Sequence, residues 1–383
     1  SEASRRSSVG AVMNADSVIV ALGGDVMTGR GIDQVLPEPL PPGLHEAWVH
    51  DARDYVRLAE KANGAIPAPV SPEYPWGDAL AALDRLAPDV RIVNLETALT
   101  RSEDAAPGKG IHYRMNPAHV GLLSAAQIDA CTLANNHVLD WGAAGLDETL
   151  ATLHAAQVLT AGAGADEALA CAPAVLRLGR GQRLLLFAWA TPDSGVPDAW
   201  AARGHEGGIA VLPALDEAAA QTVLKQVDAA RRPGDLVVVS LHWGGNWVEL
   251  VPTEQRRFAR RLIDLGIADI VHGHSAHHPL PIEVHAGRPI LYGCGDLLND
   301  YEGIGRHGRL RSDVGCLYAV TLARGDGRLQ QLRIVPFQLR RFRLGHPSPG
   351  AEQWLARLLD EGCRSLGTSL ERVGHEGWRL RWR

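Results

Sequence analysis

The stretch SVIVALGGDVMTGR, residues 17–30, sets a nearly unbroken apolar run in front of Gly23-Gly24-Asp25. Such a run, bounded by glycine, reads as a strand covered on both faces. Asp25 then stands at the strand's carboxyl end, where open α/β sheets bind their ligands. A carboxylate in that position is a candidate metal ligand. The fold follows from whether other runs end the same way.

They do. VRIVNLE (90–96), DACTLAN (129–135), RLLLFAWA (183–190), DLVVVSLHW (235–243) and ADIVHGH (268–274) repeat the pattern. Between them lie helix-period segments at 77–88, 146–157, 215–232 and 253–266, with Asp147, Asp216 and Thr253 as expected helix starts. This alternation predicts an α/β fold. The last third differs. Strands expected at 281–287, 288–295 and 313–339, with a hairpin turn at Gly325-Asp326-Gly327, predict a second, partly antiparallel sheet, followed by a terminal helix within 347–367. Two Pro-rich stretches, 36–43 and 66–76, flank a helix expected over 46–62 and read as ordered insertion loops. No linker stands out, so one domain is expected over 18–383 behind a flexible N-terminus, 1–17.

Composition narrows the function. The chain has 383 residues, 46% of them apolar, enough for a large core. A net charge of −6 argues against a nucleic-acid partner. Five scattered cysteines without a Cys-x-x-Cys pair fit a reduced, cytoplasmic protein. No apolar run approaches the ~20 residues of a membrane span, and none suits a signal sequence. The oligomeric state is left open.

The polar residues at the strand ends are of few types. Asp25, Asn94 with Glu96, Asn135-Asn136-His137, His242, His272 with His274, and Asp296 each follow an apolar run, and His277 and His278 come just behind His274. Carboxylate and amide oxygens suit hard cations, and imidazoles suit zinc, iron or manganese. Structural duties compete with this reading: Asp25 as a helix cap, Glu96 paired with an arginine, His242 as a satisfied core histidine, one of Asn135 and Asn136 bonded to turn backbone. Four imidazoles within 272–278 are harder to assign to packing. His45, His50, His119, His154, His205, His307 and His375 read as structural.

GDVMTGR (24–30), NLETALT (94–100), ANNHVLDWG (134–142), HWGGNW (242–247) and GHSAHHPLPIEVHAGRPILYGCGDLLNDYEG (273–303) together resemble the CapA family. The resemblance runs from about residue 18 to 320. It implies a link to poly-γ-glutamate capsule synthesis and the calcineurin-like metallophosphoesterase fold, two packed mixed β-sheets flanked by helices. It also implies ligand roles for Asp25, Glu96, Asn136, His242 and His274. Where the superfamily's first motif has a histidine, this chain has Met27, and its second motif's paired aspartates are replaced around Asn94–Thr97. These departures favour one divalent ion (Ca, Mn, Mg or Zn) over two.

That leaves His137 with Asp140, and His277 or His278 with Asp296, as candidate acid/base pairs. One branch resembling this chain comprises metal-dependent lasso-peptide epimerases, which invert the Cα of a C-terminal Trp. The reading is therefore an epimerase with a peptide substrate, catalytic His137, Asp140, His277 and Asp296, and substrate contacts from Arg30 (to a carboxylate), Trp243 and His278. Trp76, Trp141, Trp189 and Trp247 are further stacking candidates. The alternatives are a hydrolase of phosphoesters or γ-glutamyl amides, and a capsule-synthesis protein that only binds polyglutamate.

Overall fold

The computed structural model describes residues 16–305 and 307–383. Of the N-terminal segment expected to be flexible, residues 1–15 lie outside the described residues, and Ser17 already opens the first strand.

Two mixed sheets pack face to face. The first runs in the order Thr368–Arg372, Trp378–Trp382, Leu329–Arg340, Val314–Ala323, Ser17–Val26, Val90–Leu95, Ala130–Thr132, Leu159–Ala161, and the short Asp296–Leu298 strand also pairs with Ser17–Val26. The second runs Ile282–His285, Arg288–Leu291, Ile270–His274, Leu236–His242, Arg183–Ala190, Ala174–Arg177. The strands quoted above form the parallel centre of each sheet. Antiparallel strands close the flanks. This is the sandwich of two mixed sheets flanked by helices that the resemblance implies.

Alternation along the strands builds the layers, because successive side chains point to opposite faces. Leu184, Leu186, Val238 and Ile270 of the second sheet share one apolar cluster with Val20, Leu22 and Ile92 of the first. Their neighbours Leu185, Phe187, Val237 and Val239 turn the other way, onto Val223, Val227, Phe258 and Leu262 of helices Glu217–Ala230 and Thr253–Asp264. Both faces of the central strands are thus dry, which is why their sequences are almost wholly apolar.

Several expectations need correction. The strands at 282–291 form a hairpin that extends the second sheet, whereas 314–340 joins the first. Asp147 lies inside the Gly142–Ala155 helix, which begins five residues earlier, after Trp141. Thr253 begins its helix without a side-chain cap, while Asp216 caps as expected by accepting from Ala219 N–H. The helix expected over 46–62 spans Arg53–Asn63, because residues 43–52 are held in a loop by a bridge between Gly43 and Asp51. The hairpin turn at Gly325–Gly327 is present, with Gly327 at φ 69°. Among the described residues no helix is long and apolar enough to cross a membrane.

One close approach sets the position of Asp25. Its N–H donates to Gly295 O at 2.9 Å, and Asp25 pairs with Asp296 across parallel strands. A Cβ on Gly24 would lie 1.8 Å from that same carbonyl oxygen. Main chain blocks main chain here, so no rotamer change relieves the clash. Gly24→Ala is expected to destabilise by about 4 kcal/mol or more, read as loss of folded protein or of most of the denaturant midpoint. Gly43→Ala, which meets nothing within 4 Å, is the control and should melt like the parent.

Candidate functional site

Strand register brings the polar strand ends to one place. Asp25 is flanked by Asn94 on one side and Asp296 on the other, and His242 stands opposite His274. Asn94 Nδ2 donates to Asp25 Oδ1 at 2.7 Å and lies 3.4 Å from Glu96 Oε2. Asn94 Oδ1 in turn accepts from Thr132 Oγ1 and Asn135 Nδ2, which fixes the orientation of the amide. Asn135 also accepts from the His137 and Val138 N–H groups, so it is the member of the Asn pair that serves turn backbone. Asn136 Oδ1 faces His242 Nε2 at 3.2 Å, and Glu96 Oε1 lies 3.9 Å from the same nitrogen.

These residues fit a cation. Asp25, His242 and His274 each aim a donor atom so that all lie within 4.8 Å of one another. Asp25 Oδ2 is buried with no hydrogen-bond partner. His242 Nδ1 and His274 Nδ1 face each other at 2.8 Å. Two imidazoles sharing an ion at ~2.0–2.1 Å would hold their nitrogens about 3 Å apart. Burial, then the charge of Asp296, pushes Asp25 up to about 7. Burial, then Asp25 and Asp296, also raises Glu96. Burial drives His242 and His274 well below the usual imidazole range, so both present neutral rings suited to ligation. Glu96 and Asn136, the other two ligands the resemblance implies, lie instead on the Nε2 side of His242. Asp25, His242 and His274 mix oxygen with nitrogen and suit several divalent ions.

Two imidazole–carboxylate pairs border this set. His137 Nδ1 lies 2.5 Å from Asp140 Oδ2, with His137 Nε2 4.0 Å from Glu96 Oε1. His277 Nδ1 lies 2.8 Å from Asp296 Oδ1, and Asn299 Nδ2 steadies the other Asp296 oxygen at 2.8 Å. The pairs differ electrically. Burial, with Lys109 beside Asp140, holds His137 down to about 4 despite its carboxylate. Burial also opposes charge on His277, but Asp296 and Asp25 outweigh it and raise the imidazole. Asp25, His277 and Asp296 form a second cluster of converging donors that shares Asp25 with the first.

The substrate contacts read from the sequence fare differently. Arg30 is a buried ion-pair residue: its guanidinium bonds both oxygens of Asp300 and also reaches Glu46 and Tyr55. Two carboxylates already neutralise it, which removes the reason to assign it a substrate carboxylate. Trp243 is core: its Nε1–H donates to Tyr292 O and its ring stacks on Tyr292. Trp76, Trp141 and Trp189 are likewise buried, leaving Trp247 as the one of the five beside His277. His278 lies under Trp247, its Nδ1 3.2 Å from Pro279 O and its Nε2 buried without a partner, so His277 is the residue paired with Asp296. A cavity of about 230 Å³ opens beside His277 and is lined by Arg30, Tyr55, Trp247, Tyr301, Ile304 and His307 among others. His307, read as structural, stacks on Trp247 at this mouth. A groove of about 770 Å³ between helices Glu217–Ala230 and Thr253–Asp264 is remote from this chemistry.

Residues that sequence reasoning missed act mainly as supports. Lys109 pairs with Asp140, and Tyr113 and Tyr301 set ring edges against His137 and His277. None lies in an apolar run followed by a polar strand end, so the pattern that picked out the strand-end polar residues could not reach them.

Residues 19–301 match the family described as Bacterial capsule synthesis protein PGA_cap. The chain is 46% identical over 356 residues to a Mycobacterium tuberculosis protein named "Probable polyglutamine synthesis accessory protein", covering 92% of this chain and 93% of that one. It is 31% identical over 192 residues to the PGA biosynthesis protein CapA of Bacillus subtilis, covering 50% of this chain and 48% of that protein. Among solved structures it is similar to one described as a novel phosphatase of Mycoplasma pneumoniae, with 12% identity and a TM-score of 0.45, covering 84% and 93% of the two chains.

A divalent ion held by these residues would make stability depend on metal. Stripping divalent ions with a chelator should lower the melting temperature by about 3 °C relative to protein held at 100-fold excess over Kd. Returning Mn, Zn or Ca one at a time identifies the ion that restores it. Asp25→Ala should melt at the same temperature with and without added metal.

Proposed function

The chain belongs to the bacterial capsule synthesis protein family PGA_cap, and on that premise we propose that it is a metal-dependent acid/base enzyme acting at the α-carbon of a peptide-type substrate. One observation carries the reading: the pairs His137–Asp140 and His277–Asp296 border a single ligand set, one beside Glu96 and the other beside Asp25. Two such pairs suit an epimerase, because one imidazole must take a proton from one face of the α-carbon and the other must deliver a proton to the opposite face.

Each carboxylate holds its imidazole by Nδ1, so each ring offers Nε2 to substrate. Asp25, Glu96, Asn136, His242 and His274 would hold the ion. A bound divalent ion supplies charge stabilisation for a carbonyl oxygen that gains negative charge. The mycobacterial relative's name concerns polyglutamine synthesis, and a substrate built of linked amino acids agrees with that. The most concrete form is inversion of a C-terminal Trp in a lasso-type precursor peptide, with Trp247 at the cavity mouth as its aromatic neighbour.

A second reading draws on the cluster of Asp25, His277 and Asp296. Asp25 is common to both clusters, and if each took an ion the pair would supply the charge stabilisation that hydrolysis of a phosphoester or γ-glutamyl amide uses.

Incubation in D₂O separates the two. Precursor-type peptides ending in Trp, or γ-glutamyl oligomers, should gain deuterium at Cα and accumulate the inverted epimer with one metal ion per chain. His137→Ala and His277→Ala should each slow exchange by about 10²–10⁴-fold. Release of nitrophenol from phosphate esters or of glutamate, with no deuterium at Cα and two ions per chain, would overturn the epimerase reading.

A further inference from the structure

His272 is fully buried and has no part in the chemistry above, yet it is held at both nitrogens. Its Nε2 lies 2.8 Å from Gly23 O, and its Nδ1 lies 3.0 Å from Ser240 Oγ. Ser240 Oγ lies in turn 2.7 Å from His274 Nε2. Register produces this row, since Ser240 stands opposite His272 on neighbouring parallel strands and both side chains share a face with His242 and His274.

The hydrogens in this row can be placed by elimination. A carbonyl oxygen only accepts, so His272 Nε2 carries a hydrogen and donates to Gly23. The other partner of His272 is a hydroxyl and not a carboxylate, so the buried ring is neutral and its Nδ1 is an acceptor. The single Ser240 hydroxyl hydrogen therefore points to His272. Ser240 Oγ must then accept from His274 Nε2–H. With that hydrogen on Nε2, the lone pair of His274 lies on Nδ1, the nitrogen that faces His242 Nδ1.

We infer that Ser240 and His272 are positioning residues for the metal centre: they fix the tautomer and ring angle of His274 so that its Nδ1 lone pair is presented to a divalent cation. The chain does a second job. Gly23 belongs to the strand that ends in Asp25, in the first sheet, whereas His242 and His274 belong to the second. The row Gly23–His272–Ser240–His274 therefore ties the carboxylate half of the ligand set to the imidazole half across the gap between sheets. Metal-bound histidines are held this way through their second nitrogen, and loss of such a partner typically weakens metal binding 10–100-fold. This inference rests on the reading of His274 as a metal ligand.

Titration of metal-free protein with Mn²⁺, Zn²⁺ and Ca²⁺ in turn, by calorimetry, tests it. Ser240→Ala deletes one oxygen with little change of shape, and should weaken binding of the resident ion 10–100-fold while the metal-free protein still folds. Ser240→Thr keeps the hydroxyl and should recover most of that loss. His272→Phe should match Ser240→Ala. A purely structural role predicts the opposite, a lower metal-free melting temperature with unchanged affinity. Wild-type affinity in Ser240→Ala, alongside lost binding in His274→Ala, overturns the positioning role and leaves the metal reading intact. Wild-type affinity in His274→Ala as well overturns both.

Discussion

Three carboxylates, Asp25, Glu96 and Asp296, are buried together where the two sheets meet. Keeping like charges in a dry interior is strongly unfavourable unless something offsets it. Much of the surrounding polar structure answers this constraint. Asn94 directs its amide hydrogens to Asp25 and Glu96, Asn299 serves Asp296, and His277 Nδ1 pairs with Asp296. Asp25 Oδ2 is buried with no hydrogen-bond partner, and the two imidazoles His242 and His274 converge on the same residue. A divalent cation is the group whose charge and ligand preference complete that arrangement.

The acid/base pairs depend on the same crowding. His277 sits close enough to Asp25 and Asp296 for their charge to overcome its burial. His137 has one carboxylate, and Lys109 already pairs with it. Chemically identical side chains thus have their proton affinities moved in opposite directions by their neighbours. Behind them, Arg30 is clasped by Asp300 and lies over the rings of Tyr55 and Tyr113. Tyr113 and Tyr301 set ring edges against the two imidazoles, and Arg30 lies over both tyrosine rings, so this buried ion pair stands behind both edges of the site.

The strands were legible because they obey a one-dimensional rule. A strand dry on both faces is almost wholly apolar, and a polar residue at its carboxyl end stands where open sheets bind ligands. Asp25, Glu96, His242 and His274 lie at or just past such ends, although Ser240 and His272 sit inside two of the same strands. Arg30 and Trp243 did not yield to it. Both lie just past a strand end, and nothing in their spacing says that the Trp243 ring turns into the core or that Arg30, at the cavity lining, is already paired with Asp300 and Glu46. Asp300 lies 270 residues from Arg30. The helix before residue 63 was placed too early for a related reason: the bridge between Gly43 and Asp51 is a contact that local sequence does not announce.

The sequence by itself determined the alternation of buried strands and helices, the polar residue type at each strand end, and the family. Tertiary structure alone decided which donors converge, which histidine pairs with which carboxylate, and how the hydrogens lie along Gly23, His272, Ser240 and His274. The reason is physical. Burial and periodicity act over a few residues, whereas protonation and ligation depend on distances of about 3 Å between atoms that the chain brings together only when both sheets have closed.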